Sequence, residues 1–187
     1  MIGQLPKTLI VDDVEYDINS DFRASFDVFE AFNDTSLSPF NKQLTMLEII
    51  FTPIGEEEPI IPPNLTEAAK QAVWFLNIGQ ENPSHTGKVK TMDYVQDEQL
   101  LFSAINSVMS TEVREFDYWH WWSFYAACQA ISSDSLIAHI ANIRHKKGKG
   151  KKLEKHEQQF YKENRHLIDF RTSGDAYEAM VRELRRG

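Results

Sequence analysis

Asp21-Phe-Arg-Ala-Ser-Phe-Asp-Val-Phe-Glu-Ala-Phe-Asn33 is the stretch that decides the fold. Its rings, Phe22, Phe26, Phe29 and Phe32, follow one another at intervals of four, three and three, which gathers them on one side of a helix and on no single face of a strand. An amphipathic helix from about Asp21 to Asn33 is expected.

The same period recurs downstream. Ser38-Pro39 offers an N-cap and a first-turn proline, so a second helix starts there, with Phe40, Leu44, Leu47 and Phe51 as its buried stripe and Pro53 as its end. Ile54 to Pro63 holds Glu56-Glu57-Glu58 and three prolines and reads as a linker. Asn64-Leu-Thr-Glu67 has the form of a capping box and opens a third helix, with Leu65, Ala69, Ala72, Val73 and Leu76 inward. Gly79 to Thr91 reads as an exposed loop. Asp93, with Gln96 three residues on, is expected to cap a fourth helix that buries Val95, Leu101, Ile105 and Val108 or Met109. The fifth helix carries Trp119, Trp122, Phe124, Tyr125, Ala126, Ala127 and Ile131, is apolar on most sides and is expected at the centre of the bundle. Ser133 caps a sixth with Leu136, Ile137, Ile140 and Ile143. Upstream, Thr8 to Ile18 is two short β-rich runs around Asp12-Asp13, a hairpin. The expected class is mainly α: a helical bundle with a small N-terminal β-hairpin and a C-terminal helical appendage.

The chain has 187 residues, 42% of them hydrophobic and 26% charged, enough for one core without a disulfide. Cys128 is the single cysteine, so no intramolecular disulfide forms and a reducing compartment is implied. Twenty Lys/Arg against 28 Asp/Glu give a net charge of −8, which argues against a protein that coats nucleic acid with its whole surface. The charge is uneven: up to Ile143 there are 7 basic and 21 acidic residues, and from Arg144 onward 13 and 7. The expected division is an acidic helical body over 1–143, a solvated basic Gly/Lys hinge over 144–152, and an appendage over 153–187. The appendage holds a polar helix, about Leu153 to His166, and a last helix, about Asp175 to Arg186. Tyr177, Met180, Val181 and Leu184 form a stripe on that last helix too thin to fold alone. No signal peptide or apolar run of about 20 residues is present, so a protein soluble in the cell that makes it is expected.

Few residues suggest chemistry. His156-Glu157 begins like a zinc-protease helix, but position 160, where the second histidine belongs, is Phe. No phosphate-cradling glycine loop occurs, and Cys128 sits in the most apolar helix without a neighbouring base. The reading is a non-enzyme with no metal and no cofactor. Two stretches stand out as partner-binding candidates. Trp119, Trp122, Phe124 and Tyr125 belong to Tyr118-Trp-His-Trp-Trp-Ser-Phe-Tyr125, which is either core or a surface for a partner. Arg144, Lys146, Lys147, Lys149, Lys151 and Lys152 are either a linker, an arm reaching an acidic protein face, or a nucleic-acid patch.

Several of these features occur together in a phage family. The hairpin, Phe26-Asp-Val-Phe-Glu, Leu47-Glu-Ile-Ile, Asp93-Tyr-Val-Gln-Asp-Glu-Gln-Leu-Leu-Phe, His120-Trp-Trp-Ser-Phe-Tyr-Ala and Ile140-Ala-Asn-Ile-Arg144 appear in order, and the chain resembles the bacteriophage "gene product fifteen" proteins of siphophage tail modules over roughly Thr8 to Leu167. The resemblance implies a tail-assembly chaperone that binds the tape-measure protein, and beyond it the major tail protein or further copies of itself, in the cytoplasm of the infected host or in the virion. No membrane partner is expected from the lack of a long apolar run, and the net charge disfavours a nucleic-acid partner. A structural ring component of the head or tail, and a nucleic-acid-binding module using the basic hinge, are the alternatives.

Overall fold

The computed structural model describes residues 3–80 and 89–171. The last expected helix and most of the loop after Gly79 lie outside them. The chain forms two compact units, and each is built from two pieces of sequence: unit 1 is Met1–Thr86 with Glu112–Ala130, and unit 2 is Gly87–Thr111 with Ile131–Gly187.

Unit 1 opens with β1 (Thr8–Val11) and β2 (Val14–Asp17), an antiparallel pair in which Val11 faces Val14. Asp12 and Asp13 both take positive φ, the backbone a two-residue hairpin turn demands. Three helices follow: α1 (Phe22–Asn33), α2 (Pro39–Ile50) and α3 (Leu65–Leu76). After a 3-10 turn at Val113–Glu115 comes α5 (Trp121–Gln129). Asp21, Ser38 and Asn64 cap the first three helices through their side chains. Asn64 accepts from the Glu67 N–H, but the expected reciprocal bond is missing, because the Glu67 carboxylate turns to Lys70 and Gln71. Asn64 instead donates to the Asp12 carboxylate and ties α3 to the hairpin turn.

Two of the expected stripes run out of the core. Phe22 is buried but Phe32 is not, and Leu47 and Phe51 are buried while Phe40 is 65% exposed. On α3 the buried residues are Ala68, Ala72 and Phe75, and Leu65 and Val73 face out. α5 begins at Trp121, with Trp119 and His120 in the approach, and it buries one face, Trp121, Phe124 and Ala127, while Ala126 and Gln129 are exposed.

Unit 2 holds α4 (Glu98–Met109), α6 (Leu136–Gly148), α7 (Lys155–Glu163) and α8 (Arg165–Ile168). Ile140, Ile143 and Ile168 form its buried centre, with Leu100, Leu153, Phe160, Tyr161 and Leu167 packed around them. Asp93 caps a single turn that leads into α4, through bonds from the Val95 and Gln96 N–H groups, so Val95 is exposed. Ser135, two residues after the expected Ser133, caps α6.

Of the expected solvated hinge over 144–152, the part over 149–152 is exposed chain beyond a helix end. α6 runs through Arg144 to Gly148, so the expected boundary after residue 143 falls inside a helix. Gly148 is there for space: a Cβ on it would stand 2.2 Å from the Val89 side chain. Gly150, at φ +65, ends the helix, with the Lys151 and Gly150 N–H groups returning to the Lys146 and Lys147 carbonyls. That is a Schellman closure, and a glycine is the residue that takes its left-handed position at no steric cost.

Candidate functional site

The aromatic stretch is built into unit 1 from both its backbone and its rings. The Phe22 N–H donates to the Trp119 carbonyl and the Trp121 N–H to the Ser20 carbonyl, so the approach to α5 pairs with the approach to α1. Asp21 serves both, accepting from the Arg23 N–H at 2.9 Å and the Trp119 N–H at 2.9 Å. Phe124 is buried and stacks face to face on Phe22 with centroids 4.5 Å apart, and Trp119 meets both rings edge-on. The indole N–H groups of Trp121 and Trp122 donate to the Leu76 and Phe75 carbonyls at 3.1 and 2.9 Å, which satisfies the last carbonyls of α3. Of the four aromatic candidates, Phe124 is core, and Trp119 and Trp122 are half-buried and engaged in the fold. Tyr125, half-buried at the edge of the Trp121 ring, is the least enclosed in its contacts.

His120, which carried no periodic signal in the sequence, is the keystone of this approach. It is 2% exposed; its Nδ1 accepts from the Trp122 N–H at 3.0 Å, so its proton sits on Nε2 and is donated to the Pro6 carbonyl at 2.8 Å. Burial, aided by the Lys7 charge and opposed by the Pro6 carbonyl, holds its pKa below the usual histidine value, so the ring is neutral at neutral pH. Beside these residues unit 1 has a cleft of about 460 Å³, lined among others by Asp21, Arg23, Asp27, Thr52, Asp117 and Tyr118. Arg23 is committed within it, to both Asp21 oxygens and to the Phe116 carbonyl at 2.7 Å.

In unit 2 the basic candidates separate into two groups. Arg144 is 4% exposed and paired with Asp97, which is 1% exposed. Each of its five N–H donors has an acceptor: Nε the Ile168 carbonyl at 2.7 Å, Nη1 the Thr91 carbonyl and Asp97, and Nη2 Asp97 at 2.9 Å and the Leu167 carbonyl at 2.7 Å. The Phe170 ring lies against the guanidinium, 4.2 Å away. Arg144 is therefore a clamp between the chain before α4 and the end of α8, and no surface cation. Lys146 pairs with Glu157, and Lys147 pairs with Asp169 at 2.6 Å. Burial would raise the Asp169 carboxyl, but Lys147, Arg165 and Tyr161 all donate to it and hold it down at about 2. Lys149, Lys151 and Lys152 are exposed beyond the helix end.

The remaining candidates for chemistry are quiet. Burial pushes the Cys128 thiol up to about 12, far from a reactive thiolate at neutral pH. Among the described residues no three His, Cys, Asp or Glu side chains come together in a way that could hold a metal ion, and no helix is long and apolar enough to cross a membrane. Neither a curated protein nor a solved structure matches the chain. Residues 1–169 do match the family described as Bacteriophage Gp15 protein, and with that much of the 187-residue sequence covered the chain belongs to this family, as a phage structural or morphogenesis protein.

Proposed function

We propose that this protein is a tail-assembly chaperone that binds the tape-measure protein and assists tail-tube assembly by protein–protein contacts, without catalysing a reaction. The observation that carries the reading is the outward face of α3. Leu65 and Val73, two turns apart, are 41% and 42% exposed, and small Ala69 lies between them on the same face. A partner helix can approach such a stripe closely at its middle and bury side chains at its two ends. The acidic exterior of unit 1, with 17 Asp/Glu against 5 Lys/Arg, would keep a complex with an apolar client in solution. The protein would act in the host cytoplasm.

Co-expression with the tape-measure protein of the same phage tests this. The tape measure is expected to become more soluble and to co-purify, and Val73→Asp is expected to abolish both effects while the far-UV circular dichroism stays that of the parent. An unchanged soluble fraction with no co-purification would sink the proposal. The charge division favours one second reading, a ring component that stays in the virion, because unit 2 carries 15 Lys/Arg against 11 Asp/Glu and is opposite in sign to unit 1. Mass spectrometry of purified virions separates the two: a chaperone is absent and a ring component is present in multiple copies. The nucleic-acid reading weakens, since Arg144, Lys146 and Lys147 are held by Asp97, Glu157 and Asp169.

A further inference from the structure

The outward stripe of α3 has two unlike ends. Leu65, at its start, follows Asn64, whose amide donates to the Asp12 carboxylate at 3.0 Å, so this end of the stripe lies against the turn of the β-hairpin. That turn presents Asp12 and Asp13 side by side at positive φ, both exposed, with exposed Val14 and Glu15 directly after them. Nothing basic stands in the hairpin itself. The flanking cations are Lys7, which lies over the Tyr118 ring, and Arg23, which is held by Asp21. The other end of the stripe is Val73, two turns on. On α3 no charged residue follows Lys70, and Lys70 pairs with Glu67 at 3.0 Å, so the charges of the helix itself cancel.

A helix laid along this stripe therefore meets apolar side chains throughout, negative charge at the Leu65 end and no net charge from α3 at the Val73 end. A lysine or arginine over Leu65 can rest its alkyl stem on the leucine and carry its charge to Asp12 and Asp13. An acidic residue in the same place faces like charges with no cation beside them, and such a juxtaposition is repelled. The carboxylates of the turn thus discriminate between two ways of laying down the same apolar helix, which the stripe alone does not.

We propose that the segment held by α3 is an amphipathic helix with lysine or arginine concentrated at one end, seated with that end over the Asp12–Asp13 turn and its uncharged end over Val73. This rests on α3 being the client-binding face and adds to it a direction and a charge rule. The apolar stripe supplies affinity. The hairpin turn selects which way round the helix lies and rejects helices whose ends are acidic.

The test uses the full chain and three synthetic helical peptides of about 18 residues that share one leucine stripe and carry lysine, glutamine or glutamate in the turn at one end. In dilute salt the lysine peptide is expected to bind about tenfold more tightly than the glutamate peptide, with the glutamine peptide between them, and the ratio should collapse toward one in about 0.5 M salt. A benzophenone beside the lysine turn should crosslink to the hairpin and not to the Val73 end. Asp13→Asn combined with Glu15→Gln should remove most of the preference, and asparagine keeps the left-handed backbone of the turn. Glu56→Gln combined with Glu57→Gln, elsewhere in the same acidic unit, should leave it intact. Equal binding of the three peptides, with Val73→Asp abolishing all of it, overturns the charge rule and leaves α3 as the binding face. A preference that survives the hairpin variant, one lost equally in the Glu56 and Glu57 variant, or crosslinking at the Val73 end also overturns it. If no peptide binds, or if binding ignores Val73→Asp, the reading of α3 falls and this proposal falls with it.

Discussion

The two units solve the same problem with opposite materials. Unit 1 centres on rings: Phe22, Phe124 and Trp119 pack on one another, and a histidine and two indoles meet backbone groups beside an Asp21–Arg23 pair whose arginine is half-exposed. Unit 2 has a modest isoleucine centre and beside it a buried guanidinium that reaches three carbonyls and a carboxylate. Packed rings gain stability from area and tolerate small changes of shape, whereas a buried charge is tolerable only while its partner is present. The comparison predicts that unit 2 is the more fragile toward single polar substitutions, and it can be broken experimentally because all four tryptophans, Trp74, Trp119, Trp121 and Trp122, lie in unit 1. Tryptophan fluorescence follows unit 1 alone, and circular dichroism follows the helices of both.

Asp97→Ala should produce the largest effect. It leaves the Arg144 charge buried without its counter-ion, and breaking such a pair costs about 3–5 kcal/mol. Thermal unfolding followed by circular dichroism should then show an early transition that the tryptophan signal does not share. If fluorescence and circular dichroism shift together, the units unfold as one and the comparison fails.

This pair also marks what could and could not be read in advance. The hairpin, the helical period and the caps at Ser38 and Asn64 are local patterns, written within a few residues of one another, and they were legible. Asp97 and Arg144 are 47 residues apart, with no spacing rule to connect them, and the run Arg144 to Lys152 has the composition of a linker. What made it a helix was tertiary: Lys146 and Lys147 find acids on the chain that follows α6, and Gly148 lets Val89 come close. The phenylalanine stripes were read correctly as helical, but period alone does not say where a stripe leaves the core, so Phe32 and Phe40 became visible only in the fold. Among the candidate residues, Phe124 was an aromatic whose burial no local pattern distinguished from the exposure of a binding surface.

A smaller effect of opposite sign is expected in unit 1. The Ser25 hydroxyl, on the buried face of α1, has no hydrogen-bond partner among the described residues, in contrast to the fully satisfied Arg144. Ser25→Ala removes a desolvated group that stabilises nothing and should raise stability by about 1 kcal/mol. The tryptophan unfolding midpoint in urea reads it. A fall in that midpoint would mean that the hydroxyl is satisfied in solution and that unit 1 is not the forgiving member of the pair.

Acid titration gives the smallest and most discriminating difference. His120 has its pKa lowered by burial, so the unfolded chain binds its proton more readily than unit 1 does. The neutral ring's stabilisation is complete above the unfolded value of 6.5 and is lost as pH falls through the lower folded value, because a proton on Nδ1 takes away the acceptor of the Trp122 N–H. Asp169 has its pKa lowered from 3.8 to about 2, so its contribution to unit 2 is complete above 3.8 and lost only as pH falls toward about 2. The order of loosening in acid therefore reverses the order of fragility toward substitution. Tryptophan emission is expected to move first, from below pH 6.5, while the Lys147–Asp169–Tyr161 cluster holds to below pH 4. His120→Gln offers the Trp122 N–H a side-chain oxygen that does not titrate, and it should shift the first step without moving the second. If the early step survives that substitution unchanged, the neutral histidine is not what makes unit 1 sensitive to mild acid, and the contrast between a unit centred on rings and one tied by buried ions loses its pH signature.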